Sequence, residues 1–227
     1  MKQKPISDIR LYKSESQNEH GGYITCSFAD KKLNAVVHRV VMKLRENGFS
    51  LGEFDHLYIN FTACDMGEKM SLSNEVDKYY PWFRYCAIHI EKELYSKLGS
   101  VETWDYIIQW VGNALLTFFA TEDFDGTRIL SCIQQAVEQR ENMLMKFKEK
   151  VSAKRRAVVF LRFLDSCKYY PLLRVYDNEE NLLFEKDLPE TVALDYLGDI
   201  QVSAKRVAIK PRKNAFTTHS SPLVFEY

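Results

Sequence analysis

Asp30-Lys31-Lys32-Leu33-Asn34-Ala35-Val36-Val37-His38-Arg39-Val40-Val41-Met42-Lys43-Leu44-Arg45-Glu46-Asn47-Gly48 is the stretch on which the reading of the fold turns. Leu33, Val36, Val37, Val40, Val41 and Leu44 recur at helical spacing, and Lys31, Lys32, Arg39, Lys43, Arg45 and Glu46 fall on the opposite face. That pattern predicts an amphipathic helix, capped at its start by Asp30 and stopped by Asn47-Gly48. Its four valines lower intrinsic helix propensity, because branching at Cβ restricts χ1 against the preceding turn. The helix is therefore expected to need a sheet to pack on.

Strand patterns lie on both sides of it. Residues 8–15 alternate Ile9 and Leu11 with Arg10 and Tyr12, and residues 23–28 continue in the same style after His20-Gly21-Gly22, which predicts an opening β-hairpin. Residues 56–62 and 82–90 read as further strands, separated by a polar stretch over 65–78 that reads as a long, functional loop. Helices are expected at 91–98, at 103–121, where the wide apolar coverage implies burial on most sides, and at 127–150. After 152 the texture changes to strands at 157–164, 171–176, 182–188, 201–210 and 223–227, with a hairpin turn at Asp177-Asn178-Glu179-Glu180-Asn181. The fold class is α+β: an antiparallel sheet packed by amphipathic helices over residues 1–150, followed by a β-rich, antiparallel C-terminal part over 151–227.

With 227 residues the chain buries enough surface to be stable without disulfides or structural metals. No stretch approaches the roughly 20 apolar residues of a membrane helix. The longest candidate, 107–120, is broken by Gln109, Asn113 and Thr117. The first residues, Met1-Lys2-Gln3-Lys4-Pro5, have no apolar run behind them, as a secretory leader would. Cys26, Cys64, Cys86, Cys132 and Cys167 form no CxxC pair and read as reduced, mostly buried thiols, so a cytoplasmic location is expected.

Net charge is zero but unevenly divided: residues 1–126 carry 14 basic and 18 acidic side chains, and residues 127–227 carry 17 and 13. A nucleic-acid binder would show a stronger basic bias. The basic cluster Lys154-Arg155-Arg156, with Lys205-Arg206 and Lys210-Pro211-Arg212-Lys213, flanks strands and has acids close by, so it does not read as a nucleic-acid groove.

Two short motifs invite chemistry. Asp123-Phe124-Asp125-Gly126-Thr127 matches the DxDGT of magnesium-dependent phosphatases, in which the first aspartate attacks phosphorus from the end of a strand. Here the preceding residues have helical spacing, and the alternative is a turn between helices with Asp125 as N-cap. His89-Ile90-Glu91 has the HxE spacing of zinc deaminases, but no PCxxC follows it. No glycine-rich nucleotide loop is present in the sequence. No catalytic, cofactor-binding or metal-binding residue is assigned, and the chain is expected not to be an enzyme.

The charge pattern is more informative. Between Glu53 and Asp77 stand six acids against the single base Lys69, and between Glu102 and Asp125 five acids against none. An acidic surface of that kind steers basic partners. Tyr79, Tyr80, Trp82 and Phe83 lie alongside, and exposed Tyr and Trp are enriched at binding hot spots. The candidate partner-binding residues are Asp65, Glu68, Glu75, Asp77, Tyr80 and Trp82.

Segments 10–14, 23–28, 54–62 and 80–84, reading Arg10-Leu11-Tyr12-Lys13-Ser14, Tyr23-Ile24-Thr25-Cys26-Ser27-Phe28, Phe54-Asp55-His56-Leu57-Tyr58-Ile59-Asn60-Phe61-Thr62 and Tyr80-Pro81-Trp82-Phe83-Arg84, resemble bacterial immunity proteins encoded beside polymorphic, contact-dependent toxins. The resemblance covers about the first third of the chain. It implies a cytoplasmic antidote that binds one cognate toxin protein, with no catalytic residues to transfer. A nuclease toxin would present a cationic cleft that suits the acidic loops. An adaptor protein without a toxin partner is the other non-catalytic expectation.

Overall fold

The computed structural model describes residues 4–14, 28–165, 167–214, 217 and 219–227. The chain divides into two compact units, Met1–Arg140 and Glu141–Tyr227, and its fold class is α+β as read from the sequence.

In the first unit, strand β1 (Asp8–Ser14) is followed by helix α1 (Lys31–Glu46), then β2 (His56–Thr62), β3 (Met70–Leu72) and β4 (Phe83–His89). Helix α1 forms where the periodicity placed it. The Asp30 carboxylate accepts the Leu33 N–H at 2.7 Å, filling one of the helix's orphan donors. Gly48 follows the helix with φ of 84°, a left-handed conformation that a side chain resists. Leu33, Val37, Val40, Val41 and Leu44 are buried as expected. Arg39 and Lys43, read as part of the polar face, are buried as well, and Lys43 pairs with Glu46 at 2.7 Å. The reason is that α1 is covered twice, by β1 and by the helix at residues 126–139, which the single-face reading did not include.

The first sheet has the order β1-β2-β4-β3. Its β1–β2 and β2–β4 pairings are parallel and only β3–β4 is antiparallel, so strand direction here differs from the antiparallel expectation. A parallel neighbour requires a crossover helix, and α1 supplies it between β1 and β2. The hairpin proposed for 8–15 with 23–28 rests on residues 23–27, which lie outside the described residues. The polar stretch 65–78 is interrupted by β3, whose Met70, Ser71 and Leu72 pair with Ile88, Ala87 and Cys86. One face of the sheet is apolar: Ile9, Leu11, Leu57, Ile59, Phe61, Cys86 and Ile88 are buried.

Helix α2 (Lys92–Lys97) leads through a single 3-10 turn into α3 (Trp104–Phe119), which is buried along Ile107, Ile108, Val111, Ala114 and Leu115. Helix α4 (Gly126–Gln139) ends well before residue 150. Arg140 adopts φ of 48° and breaks the helix, and the residues beyond it form β5 (Met145–Val151). Leu144 and Phe147, three apart, fit a helix. Met143 and Met145, two apart, fit a strand, and pairing with residues 156–161 realises it, with a register shift at Phe147 that leaves Val151 exposed on the other face.

The second unit is built from β5, β6 (Arg156–Arg162), β7 (Tyr170–Tyr176) and β8 (Leu182–Asp187) in one antiparallel sheet. A second antiparallel sheet has the order β11-β10-β9, formed by β9 (Asp199–Val202), β10 (Arg206–Lys210) and β11 (Leu223–Glu226). The compact unit thus starts ten residues before the expected 151, because β5 pairs with β6. The stretch 201–210, read as one strand, is a hairpin: Ser203 N–H donates to the Arg206 carbonyl at 2.8 Å and turns the chain between two short apolar runs. The turn at 177–181 is as expected, with Asp177 accepting the N–H groups of Glu179 (2.8 Å) and Asn181 (2.9 Å).

Candidate functional site

The parallel register of the first sheet sets its second face in rows. Asp8, His56 and Phe83 form one row; Arg10, Tyr58 and Tyr85 the next; Tyr12, Asn60 and Ala87 the third. Because side chains alternate along each strand, all nine share the face opposite the apolar one. Tyr12 stacks on Tyr58 with centroids 5.5 Å apart, and Tyr58 meets Phe83 at 4.6 Å and Tyr85 at 5.3 Å. The strip continues beyond the sheet: Phe83 stacks on Tyr80 at 4.9 Å with planes 14° apart, and Trp82 stands edge-on to Tyr80 at 5.9 Å. The Arg10 guanidinium lies 5.4 Å from the Tyr58 ring, donates to its hydroxyl at 2.8 Å, and pairs with Asp8 at 2.7 Å.

Asp77 organises the end of this strip. Its Oδ1 accepts the N–H groups of Tyr79 and Tyr80, both at 2.8 Å, and its Oδ2 accepts the Tyr85 hydroxyl at 3.2 Å. The Tyr80 N–H is the main cause that holds the Asp77 carboxyl below its usual pKa; the Tyr79 N–H and Tyr85 hydroxyl add to it, while partial burial opposes. Burial pushes the Tyr58 phenol up to about 12, and burial followed by the Asp77 charge pushes Tyr85 up further, so both remain hydrogen-bond donors. The result is a fixed turn displaying Tyr79 (76% exposed), Tyr80 (50%) and Trp82 (37%).

The six residues singled out from the sequence therefore divide. Tyr80, Trp82, Glu68 and Glu75 are exposed, and the two glutamates make no side-chain hydrogen bond or ion pair among the described residues. Asp77 is the scaffold of the turn, and Asp65 accepts the Gly67 N–H at 2.9 Å in a turn of its own. The sequence reading missed Tyr12, Tyr58, Tyr85, Arg10 and His56. Their signal was present as an aromatic or polar residue at every second position of three segments, but it becomes a surface only once those segments are set parallel and in register.

Replacing Asp77 with alanine is expected to abolish hydrogen-exchange protection at the Tyr79 and Tyr80 amides and to cost about 1 kcal/mol of stability, as loss of a capping acid does. The same protection has a pH dependence of definite sign. The folded pKa lies below the ordinary 3.8, so the stabilisation is fully present only about a unit above 3.8 and is lost as pH falls through 3.8 towards the folded value. Exchange of the Tyr79 and Tyr80 amides measured across that window checks it.

The other motifs have structural roles. Asp123-Phe124-Asp125-Gly126 lies between the end of α3 and the start of α4, not at the end of a strand. Asp125 caps α4 by accepting the Arg128 N–H at 2.9 Å, and the Phe124 ring is buried against Phe49 at 5.1 Å. Arg128 donates to the carbonyls of Asp123 and Asn47 and covers the Phe124 ring at 4.3 Å. Asp123 borders a cleft of about 300 Å³ with Asn47, Phe118 and Arg128. His89 closes β4, its Nδ1 2.6 Å from the Cys64 carbonyl; since a carbonyl only accepts, that nitrogen carries the proton. Glu91 lies 4.0 Å from His89 and 3.3 Å from Lys69.

Cys86 and Cys132 are buried, Cys64 is half-buried and Cys167 is exposed, and these four are free thiols; Cys26 lies outside the described residues. Burial pushes the Cys86 thiol up to about 12. In the basic cluster Arg156 is paired with Glu180 and Glu149, and Arg212 with Asp195. The second unit has a cavity of about 420 Å³ lined chiefly by apolar groups, among them Val192, Tyr196, Pro211 and Leu223, with the Lys168–Glu190 ion pair on its wall. Among the described residues no three His, Cys, Asp or Glu side chains are grouped to hold a metal, and no helix is long and apolar enough to cross a membrane. The chain matches no family model, no curated protein and no solved structure among those compared.

Proposed function

We propose that the protein is a cytoplasmic immunity protein, which binds a cognate toxin and neutralises it by covering the toxin's working surface. The observation that carries this reading is the aromatic turn of Tyr79, Tyr80 and Trp82, exposed yet held in one conformation by Asp77. Large aromatic side chains contribute much of the binding energy at protein interfaces. A turn ordered before contact also avoids the entropy of ordering it on contact. Glu68 and Glu75, exposed in the same part of the chain, supply negative charge without internal partners among the described residues. That combination suits a basic partner such as a nuclease toxin, whose substrate-binding cleft must be cationic. The resemblance of segments 10–14, 54–62 and 80–84 to immunity proteins falls on the strands and turn that build this strip.

The experiment is co-expression of this chain with the product of the adjacent gene, followed by co-purification and a toxicity assay. A stable complex and restored growth are expected. A neighbouring product that is neither toxic nor retained would overturn the reading and leave an adaptor role.

A further inference from the structure

We propose that the outer end of the aromatic strip receives an arginine of the partner, its guanidinium stacked on the free face of Tyr80 with Glu75 as the counter-charge. This inference rests on the protein-binding reading above and specifies its chemistry.

Three observations lead to it. Tyr80 has one face against Phe83, in a near-parallel stack, and still leaves half of its surface exposed. Lys78 already lies 5.9 Å from the ring of Tyr79, so Tyr80 is the neighbouring ring without a cation over it among the described residues. The chain itself shows what such rings accept. Arg10 lies over Tyr58 with Asp8 as its carboxylate, and Arg84 lies 4.9 Å from the Phe54 ring. A guanidinium is planar and weakly hydrated, so it stacks on an aromatic face while its edge donors remain free for a carboxylate, which the compact, strongly hydrated lysine ammonium does less well.

Charge points the same way. Of the two bases in the loop region, Lys69 is paired with Glu91 and Lys78 is placed over Tyr79, which leaves Glu68 and Glu75 uncompensated by them. The loop region thus presents an exposed ring face and carboxylates without cation partners among the described residues. Arginine carries five donors and no acceptor, the complementary set.

The test uses the purified chain and the toxin encoded beside it, with binding kinetics measured at low and high salt. Tyr80→Ala is expected to weaken the complex about tenfold or more, mainly by faster dissociation. Tyr80→Phe keeps the ring and should stay within about twofold. Glu75→Lys should slow association at low salt, with the difference shrinking as salt screens it. In a double-mutant cycle against alanine replacements of the toxin's arginines, one arginine should show an interaction energy with Tyr80 and the others none. Unchanged thermal unfolding of each variant keeps the comparison clean. If the wild-type pair binds but Tyr80→Ala and Glu75→Lys are silent, or no arginine couples to Tyr80, the inference is overturned and the immunity reading stands. If the wild-type pair does not bind, the immunity reading itself fails, and the inference with it.

Discussion

Gly198→Ala is expected to destabilise the second unit strongly while leaving the helical signal of the first in place. A Cβ on Gly198 would lie 2.4 Å from the Lys210 carbonyl oxygen, 2.5 Å from the Arg212 nitrogen and 2.7 Å from the Pro211 carbonyl carbon. All three are backbone atoms at the end of β10, so no side-chain rotation relieves the clash and the strand must move. The Leu197 and Gly198 carbonyls also accept hydrogen bonds from the Lys148 ammonium on β5, so displacing this turn strips partners from a half-buried amine. Overpacking against rigid atoms costs about 3 kcal/mol, a large share of what a unit of this size holds. Helices α1 to α4 all lie in the first unit. Circular dichroism at the helix band should therefore keep its unfolding midpoint in urea, while Tyr and Phe signals from the second unit shift to lower denaturant. A single unshifted transition would show that β10 yields at no expense.

The second large effect concerns the Asp-x-Asp motif. Phe124→Ala should destabilise the first unit by about 3 to 5 kcal/mol, the range for removing a buried aromatic ring. Phe124 is 6% exposed, packs edge-to-face on the fully buried Phe49, and has the Arg128 guanidinium 4.3 Å from its ring centre. Asp123→Asn should change stability by less than about 0.5 kcal/mol, as exposed substitutions do, because Arg128 bonds the Asp123 carbonyl and not its carboxylate. The contrast separates two uses of one motif. In a phosphatase the aspartates are indispensable for turnover and the residue between them is incidental; in an anchored helix-helix turn the phenylalanine carries the stability. Urea midpoints of the two variants, with a phosphatase assay on the wild type, decide between them.

How far the sequence disclosed this arrangement depends on the range of the forces involved. Helix α1 was legible in detail, since Asp30, the valine stripe and Gly48 act within a few residues of one another. The strands β2, β4 and β6 to β8 were legible for the same reason. What failed needed non-local information. The parallel direction of β1 and β2 follows from the crossover of α1 and leaves no mark on either strand. The burial of Arg39 and Lys43 depends on α4, more than 80 residues further along the chain. Residues 143–147 carry a helical spacing at Leu144 and Phe147 and a strand spacing at Met143 and Met145, and pairing with β6 decides between them. For the candidate site, the exposed members Tyr80, Trp82, Glu68 and Glu75 could be named from composition. Whether an acid is structural or available could not: Asp77 and Glu75 look alike in sequence and differ in whether backbone amides face them.

The pairing of β1 with β2 also bears on how the chain is made. Asp8 and His56 are register partners 48 residues apart. At a synthesis rate of about 5 to 20 residues per second, β1 waits roughly 2 to 10 s on the ribosome before its partner exists. Throughout that interval α1 is the one element among the described residues at hand to shelter Ile9 and Leu11. Slowing translation across residues 30–62, by synonymous codon choice alone, would lengthen the exposure and should raise the aggregated fraction of an otherwise unaltered protein.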